Sequence, residues 1–294
     1  MKQYNIAFKL FFLSVIIALT VPISTVSAQD SARPLVVTSI KPLAIIVKSA
    51  FQDRVEVEYL MPAALSPHDV VLKVSDMRTL SAADLVFWVG PEFESSAAKQ
   101  FSAVATSKRV TAMELVDSEH GLSADDNHKD DHHEHDHGFD PHIWLSPTIV
   151  RQLVKTLSDQ LKIPAQEIFD AAAEKSVKDL LIEAKNGNYI VHHQAFDYFI
   201  DAFGLQPGLP IRDMLGKQQG AKTQYNLRLE GKKLGVSCVF IEPQHGHKDA
   251  MAVANELAVP TKVIDILAVT YPSKLPTYES YIYGLAQQFN ACFK

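Results

Sequence analysis

Along most of the chain, short apolar runs rich in β-branched residues alternate with stretches whose apolar residues recur at helical spacing. The runs predict β-strands, and the recurrence predicts amphipathic helices. In the first part of the chain the predicted strands lie at residues 34–40, 54–61, 84–90 and 109–114. Predicted helices lie between them at residues 42–51 and 75–83. This alternation is typical of a parallel sheet that is covered by helices on both faces.

The alternation stops abruptly between residues 117 and 138. This segment has no apolar periodicity, and histidine and acidic residues dominate it. Chains of such composition do not bury enough apolar surface to offset the entropy of ordering. We therefore interpret residues 117–138 as a low-complexity insertion and expect it to be disordered.

A second alternating series follows the insertion. Residues 147–161 and 166–185 have helical spacing. Further strands are predicted at residues 189–193, 236–241 and 261–267, with helices at 196–203, 223–233, 248–257 and 278–289. We predict an α/β fold of two lobes, each a mostly parallel sheet flanked by helices, joined by one long rigid helix. The predicted N-terminal lobe is residues 29–163, the linking helix 164–187, and the C-terminal lobe 188–294.

The first 28 residues have the pattern of a cleaved export signal. Lys2 and Lys9 supply positive charge, residues 10–18 form an apolar run, and Val26-Ser27-Ala28 has the small residues of a cleavage site. A membrane anchor is the less favoured alternative, because the apolar run is too short to span a bilayer comfortably. We expect a mature chain of about 266 residues outside the cytoplasm.

Charge and cysteine content narrow the classes of function further. The formal net charge is −6 and the sequence contains no basic stripe, which argues against binding to nucleic acid. Two cysteines are present, Cys238 and Cys292. In an oxidising compartment an even number of cysteines points to a disulfide. Two buried, inert thiols are the alternative.

Histidine is the residue type that carries candidate chemistry. His68 follows the second predicted strand, His193 ends the strand at 189–193, and His142 lies where the chain re-enters ordered structure. Loops at the carboxyl ends of parallel strands meet at one cleft. Three imidazoles that meet there suit zinc, with one coordination position left over. Taken alone, each histidine is more often a turn residue or a hydrogen-bonded surface group.

The remaining histidines have less specific interpretations. His192 precedes His193, and only one of the two is expected to enter the cleft because side chains alternate along a strand. His245 and His247 are interpreted as surface residues, and an auxiliary metal contact is the less favoured alternative. We expect the insertion to collect zinc as an accessory, and a solvated acidic loop without metal is the alternative. Its histidines are His120, His128, His132, His133, His135 and His137.

Five stretches of the mature chain combine these residues with recognisable motifs. They are Pro67-His68-Asp69 followed by residues 81–86 (SAADLV), residues 140–147 (DPHIWLSP), 193–199 (HQAFDYF), 239–244 (VFIEPQ) and the histidine-rich insertion. In this order the stretches resemble the zinc-binding proteins of bacterial ABC importers, the ZnuA type. The resemblance covers essentially the whole mature chain. Several motifs in register are far more specific than any single one.

The resemblance implies metal ligands. The metal-binding histidines of the family match His68, His142 and His193, and a weaker fourth ligand, Asp265, matches the aspartate of an Asp-Pro-Leu-Gly motif. That motif reads Asp-Ile-Leu-Ala here. A second departure is Gln194, which replaces the aspartate that follows the third histidine in the family. The chain therefore lacks a carboxylate beside that ligand, where such groups orient imidazoles.

The resemblance also implies a disulfide and a function. The disulfide of the family matches Cys238 and Cys292. The resemblance implies that the protein is not an enzyme but the high-affinity zinc-binding component of an ABC importer. It captures Zn²⁺ between two lobes, delivers it to an inner-membrane permease, is a monomer and does not bind nucleic acid.

Three alternatives remain open from the sequence. A manganese- or iron-binding solute-binding protein would rely on carboxylate ligands, whereas three imidazoles favour zinc. A zinc-dependent hydrolase also uses three ligands and an open position, but the sequence has no His-Glu-x-x-His helix and no nucleophile elbow. A periplasmic zinc buffer that works without a transporter is the third.

Overall fold

The computed structural model describes residues 33–119, 140–271 and 275–294. The predicted export signal lies outside these residues, as do all six histidines of the insertion. Among the helices of the described part, none combines the length and the apolarity that crossing a bilayer requires.

Four parallel strands form the first sheet, in the order β2-β1-β3-β4. The strands are β1 (Leu35–Thr38), β2 (Glu56–Tyr59), β3 (Leu85–Trp88) and β4 (Arg109–Thr111). The accompanying helices are α1 (Lys41–Phe51), α2 (Val74–Ala82), α3 (Ala98–Ser102) and α4 (Ala112–Glu119). β3 reads Leu-Val-Phe-Trp and is buried along its whole length, as expected for a central strand with both faces covered.

Two helices follow the first sheet, and the second differs from the prediction. α5 (Pro147–Leu161) has the predicted bounds, with Ser146 accepting a hydrogen bond from the Ile149 N–H at its start. α6 is only Ala171–Leu180, because the Asp170 carboxylate accepts from two N–H groups of its first turn and starts the helix there. A 3-10 turn, Ile182–Ala184, follows. The predicted long linking helix is therefore not confirmed.

The second sheet repeats the topology of the first, with parallel strands in the order β6-β5-β7-β8. Its strands are β5 (Ile190–His193), β6 (Leu209–Arg212), β7 (Val239–Ile241) and β8 (Thr261–Val263). The later helices are α7 (Asp197–Phe203), α8 (Ala221–Leu234), α9 (Lys248–Leu257) and α10 (Tyr278–Asn290). The predicted class, α/β with two mostly parallel sheets flanked by helices, is confirmed.

Two predicted strands extend at least three residues too far at their carboxyl ends, and one strand was not predicted. β4 ends at Thr111, where the chain turns into α4 instead of continuing to residue 114. β8 ends at Val263, short of the predicted residue 267. β6 has no counterpart in the prediction, because it contains Pro210 and is only half-buried. Proline is tolerated there because β6 is an edge strand.

The two sheets are joined through a continuous apolar core. Hydrogen bonds cross between the halves of the fold: Trp144 Nε1 donates to the Ile266 carbonyl at 3.0 Å, and Tyr278 Oη donates to the Trp144 carbonyl at 2.9 Å. The buried Lys41 donates through Nζ to the Ala268 carbonyl at 2.8 Å. α10 packs against both α6 and α1. The predicted boundaries of the two lobes stay predictions.

The two cysteines form the predicted disulfide. Cys238 and Cys292 lie 54 positions apart in sequence, with Cα atoms 5.6 Å apart. The bond joins the segment that enters β7 to the turn that follows α10, and both residues are buried. It therefore fastens the C-terminal end of the chain to the second sheet.

Candidate metal centre

In each sheet the strand order changes direction between two central neighbours, β1 and β3 in the first sheet and β5 and β7 in the second. The next strand along the chain after β1 or β5 lies on one side of this pair, and the strand after β3 or β7 lies on the other. Loops at the carboxyl ends of such strand pairs diverge and leave a crevice. His193 is the last residue of β5, and Glu242 follows β7. The two side chains thus stand on either side of the crevice of the second sheet.

His193 is held by a buried carboxylate. Its Nδ1 lies 2.6 Å from Glu242 Oε1, and both side chains are almost completely buried. Burial acts to raise the pKa of Glu242, but the hydrogen-bonded His193 and the nearby His245 and His192 together lower that pKa, so the carboxylate is ionised. Nδ1 is consequently the donor, and Nε2 carries the free lone pair. The residue after His193 is Gln194, which has no carboxylate. Glu242, which follows the neighbouring strand β7, supplies the carboxylate instead.

His142 is arranged in the same way. The Asp140 Oδ1 accepts from the His142 backbone N–H at 3.0 Å and from its Nδ1 at 2.7 Å. The 3-10 turn Ile143–Leu145 follows directly, with all three of its side chains buried. The position of the imidazole is therefore fixed by the turn behind it and the carboxylate beside it.

His68 lies on the 3-10 turn Pro67–Asp69, which follows β2 of the first sheet. Its Nδ1 lies 3.2 Å from the Phe93 carbonyl oxygen, and the Phe93 ring meets it edge-on with centroids 4.7 Å apart. A carbonyl only accepts, so Nδ1 donates and Nε2 is again the free nitrogen.

These three imidazoles converge on one point. His68, His142 and His193 each offer a ligand atom within 4.8 Å of the other two. His193 Nε2 and His142 Nε2 are 3.3 Å apart. Two nitrogens on a tetrahedral zinc ion with bonds of about 2.0–2.1 Å are separated by about 3.3 Å. The spacing of these two lone pairs therefore matches a shared cation.

The cavity that the imidazoles share is small, with a volume of about 10 Å³. A cavity of this size has room for about one water-sized particle. Its walls come from both halves of the fold, including Trp144 from one and Leu267 from the other. The space is about the size of a single ion.

The electrostatics of the cavity keep His68 neutral. Burial, together with the nearby His142 and His193, lowers the pKa of His68 to about 3. An imidazole must be unprotonated to bind a metal. His68 is therefore ready to act as a ligand at any pH near neutrality.

Acid should destabilise the metal-free protein through His68. The unfolded imidazole takes up a proton near pH 6.5, whereas the folded one does so only near pH 3. Between these values the unfolded state binds more protons, so the free energy of unfolding falls as pH is lowered. The stability that the neutral His68 contributes to the folded state is fully present above pH 6.5 and is lost progressively as the pH falls towards 3. Urea unfolding should therefore show a smaller loss of stability on acidification in His68→Asn than in wild type, and equal losses would contradict the assignment.

Asp265 is not part of the convergent group. It is fully buried, and its carboxylate accepts from the Val269 N–H at 2.8 Å and from the Thr270 N–H and hydroxyl at 2.7 and 2.6 Å. These bonds close the loop after β8. The role of Asp265 as a fourth ligand stays a prediction, and no contact of its carboxylate with the three imidazoles supports it.

His245 lies closer to the centre than the sequence indicated. It lines the same cavity, and its ring centroid is 5.1 Å from that of His193. The side chain is half-buried against the wall of this cavity instead of lying on the open surface. His247 lies outside the cavity walls and bonds through Nε2 to the Glu242 carbonyl at 2.9 Å.

Residues 36–292 match the ZnuA family, described as zinc-uptake complex component A, periplasmic. The high-affinity zinc uptake system protein ZnuA of Yersinia pestis is 31% identical, over 90% of this chain and 92% of that protein. The protein of the same name from Haemophilus influenzae is 28% identical over 92% and 97%. The periplasmic zinc-binding protein TroA of Treponema pallidum has the same fold, with a TM-score of 0.67, 21% identity and coverage of 89% and 99%. The chain is a member of the ZnuA family.

Proposed function

We propose that the chain is the zinc-binding component of an ABC-type zinc importer and hands Zn²⁺ to a membrane permease. The observation that carries this proposal is the convergence of His68, His142 and His193, with two Nε2 atoms 3.3 Å apart in an ion-sized cavity. Membership of a family described as a component of a zinc-uptake complex supports it. So do the relatives that are named high-affinity zinc uptake proteins.

The three imidazoles would hold zinc between the two halves of the fold. His68 and His142 come from the side of the first sheet, and His193 ends a strand of the second. A metal held by both halves stabilises their closed arrangement, because only that arrangement offers all three ligands. The continuous core and the cross-half hydrogen bonds favour small adjustments over a wide hinge motion.

Zinc enters and leaves, in this proposal, on the side of His68. His142 and His193 are almost fully buried, whereas His68 is only partly so. Its imidazole is oriented by a carbonyl at 3.2 Å, and the other two by carboxylates at 2.7 and 2.6 Å. A short turn also moves at less cost than a strand. His68 is therefore the ligand that detaches first when the ion is delivered.

The donor set favours zinc over manganese. Three neutral imidazoles suit zinc, whereas manganese prefers carboxylate and other oxygen ligands. The two carboxylates near the centre, Asp140 and Glu242, are engaged at the Nδ1 atoms of the ligands. Carboxylates in that position orient histidines on zinc and raise their basicity. The proposed cargo is therefore Zn²⁺, bound without chemical conversion.

The proposal includes the cellular setting and partner. Residues 1–28 direct export to the periplasm, the protein works there as a monomer, and its partner is an inner-membrane permease. The histidines between 120 and 137 would raise the local zinc concentration as accessory ligands. The lobes would follow the boundaries predicted from the sequence, residues 29–163 and 188–294.

The carboxylate behind His142 should contribute measurably to affinity. Asp140→Asn keeps the size of the side chain but removes the charge that orients the imidazole and makes it more basic. Loss of such a partner typically weakens metal binding about 10- to 100-fold. Competition with a zinc chelator should show this decrease in affinity, and Glu242→Gln should match it at His193. Unchanged affinity in both variants would contradict the proposed geometry.

A growth experiment tests the transport role. A strain that lacks this protein should grow poorly when zinc is chelated, and added zinc should restore growth where manganese does not. The gene for wild type should complement the deletion, and the gene for His142→Ala should not. Uptake of radioactive zinc should follow the same order. Normal growth and uptake in the deletion strain would indicate a zinc buffer instead.

A further inference from the structure

A second cluster of metal-binding groups lies directly behind the first. His192, Glu242 and His245 each offer a ligand atom within 4.8 Å of the others. The His245 ring lies 5.0 Å from that of His192 and 5.1 Å from that of His193, so it stands beside both. A tight turn, in which the His245 N–H donates to the Glu242 carbonyl at 3.1 Å, brings these two residues together.

His192 has one nitrogen to spare. It is 1% exposed, and its Nε2 lies 3.2 Å from Asp249 Oδ1. Its Nδ1 is buried and has no hydrogen-bond partner among the described residues. Buried polar atoms without a partner are rare and costly in proteins. With Nε2 donating to the carboxylate, Nδ1 carries a lone pair that is free for a ligand.

Asp249 orients His192 as Glu242 orients His193. Its second oxygen accepts from the Arg212 guanidinium, with Nε to Oδ2 2.7 Å, so the carboxylate is fixed from both sides. A carboxylate that holds one ring nitrogen while the other binds metal is the usual arrangement of zinc-bound histidine. The positive charge of Arg212 is offset by this ion pair.

Glu242 connects the two clusters, because it belongs to the second and holds His193 of the first. Its Oε1 accepts from His193 and its Oε2 accepts from the Gln244 amide at 2.7 Å. A carboxylate has about four acceptor positions, so each oxygen retains one for a cation. Two imidazoles and one glutamate form a known zinc ligand set, with a further position for water.

The geometry points to a second zinc site formed by His192, Glu242 and His245, adjacent to the three-histidine centre and linked to it by the hydrogen bond between Glu242 and His193. The present spread of up to 4.8 Å exceeds the about 3.3 Å between ligands on tetrahedral zinc. The turn that carries His245 closes this difference when the ion binds. The site fills after the first, because Glu242 holds His193 while it binds the second ion and because the ions repel each other. This inference stands on residues other than His68 and His142.

Zinc counts on purified protein test the site. In the full chain, the six insertion histidines are replaced with asparagine so that they contribute no zinc. At saturating zinc this parent should hold two ions per chain. His192→Gln should hold one, because its amide nitrogen keeps the donor to Asp249 but nothing replaces Nδ1. His245→Asn, on the half-buried turn that follows β7, should also hold one and serves if His192→Gln does not fold. His247→Gln is the matched control and should hold two.

The same counts separate this inference from the proposed function. A parent that holds a single zinc, or two ions retained in both His192→Gln and His245→Asn, would overturn the second site. His68→Gln should lose the tighter ion and keep the weaker one. If His68→Gln instead keeps both ions while His192→Gln loses one, the second site stands and the three-histidine assignment fails.

Discussion

Replacing His193 with alanine is expected to weaken zinc binding about 1000-fold. Structural zinc sites bind with about 10–16 kcal/mol. Divided among three protein ligands this is about 4 kcal/mol for each, which corresponds to about three orders of magnitude in Kd. His193 is also the only one of the three ligands that comes from the second sheet. Its loss therefore removes the bridge between the halves as well as one bond. Chelator competition measures the change directly.

Two further variants make this result interpretable. His193→Asn keeps an amide donor near the Nδ1 position, so Glu242 retains a partner, but it lacks the Nε2 ligand. It should lose as much zinc affinity as His193→Ala while remaining better folded. His247→Gln removes a nearby imidazole that lies outside the cavity walls, and it should keep tight binding. Tight binding that survives in both His193 variants would refute the ligand assignment.

Removing the disulfide is expected to lower the free energy of unfolding by about 4 kcal/mol. The bond between Cys238 and Cys292 closes a loop of 54 positions, and the chain-entropy model gives about 4 kcal/mol for a loop of this length. For a chain of this size such a loss lowers Tm by about 10 °C. Thermal and urea unfolding of the Cys238→Ser/Cys292→Ser variant check this value.

The same double variant should keep its zinc affinity. Cys238 lies before the amino end of β7, and Glu242 lies beyond its carboxyl end. The disulfide and the metal centre are therefore at opposite ends of the strand. A variant that is as stable as wild type, or one that loses zinc binding while still folded at 25 °C, would contradict this separation of stability from binding.

Local patterns predicted most of the fold. α5 and α9 have the predicted bounds, because a capping serine marks the start of α5 and apolar residues at helical spacing mark α9. The predicted start of α6, residue 166, was wrong. The helical spacing of apolar residues begins before Asp170, and this spacing does not reveal which side chain caps the helix. β6 was missed because an edge strand with a proline has neither the apolar run nor the alternation that identifies buried strands.

The centre was predicted only in part. The order of the motifs predicted His68, His142 and His193 as ligands, and their side chains converge in the structure. Their role as ligands stays a prediction. Glu242 and Asp249 orient imidazoles from other elements, at sequence separations of 49 and 57 residues. Such pairings depend on how strands and helices are placed in three dimensions, and a single sequence gives no spacing rule for them. Asp140 lies only two residues before His142, so its contact with that imidazole could have been predicted from the local sequence.

Diffraction at the zinc absorption edge, on crystals of protein loaded with one equivalent of Zn²⁺, tests the central claim most directly. We expect one anomalous peak about 2.0–2.1 Å from the Nε2 atoms of His68, His142 and His193. A peak outside this cavity, or one that leaves any of the three imidazoles uncoordinated, would contradict it.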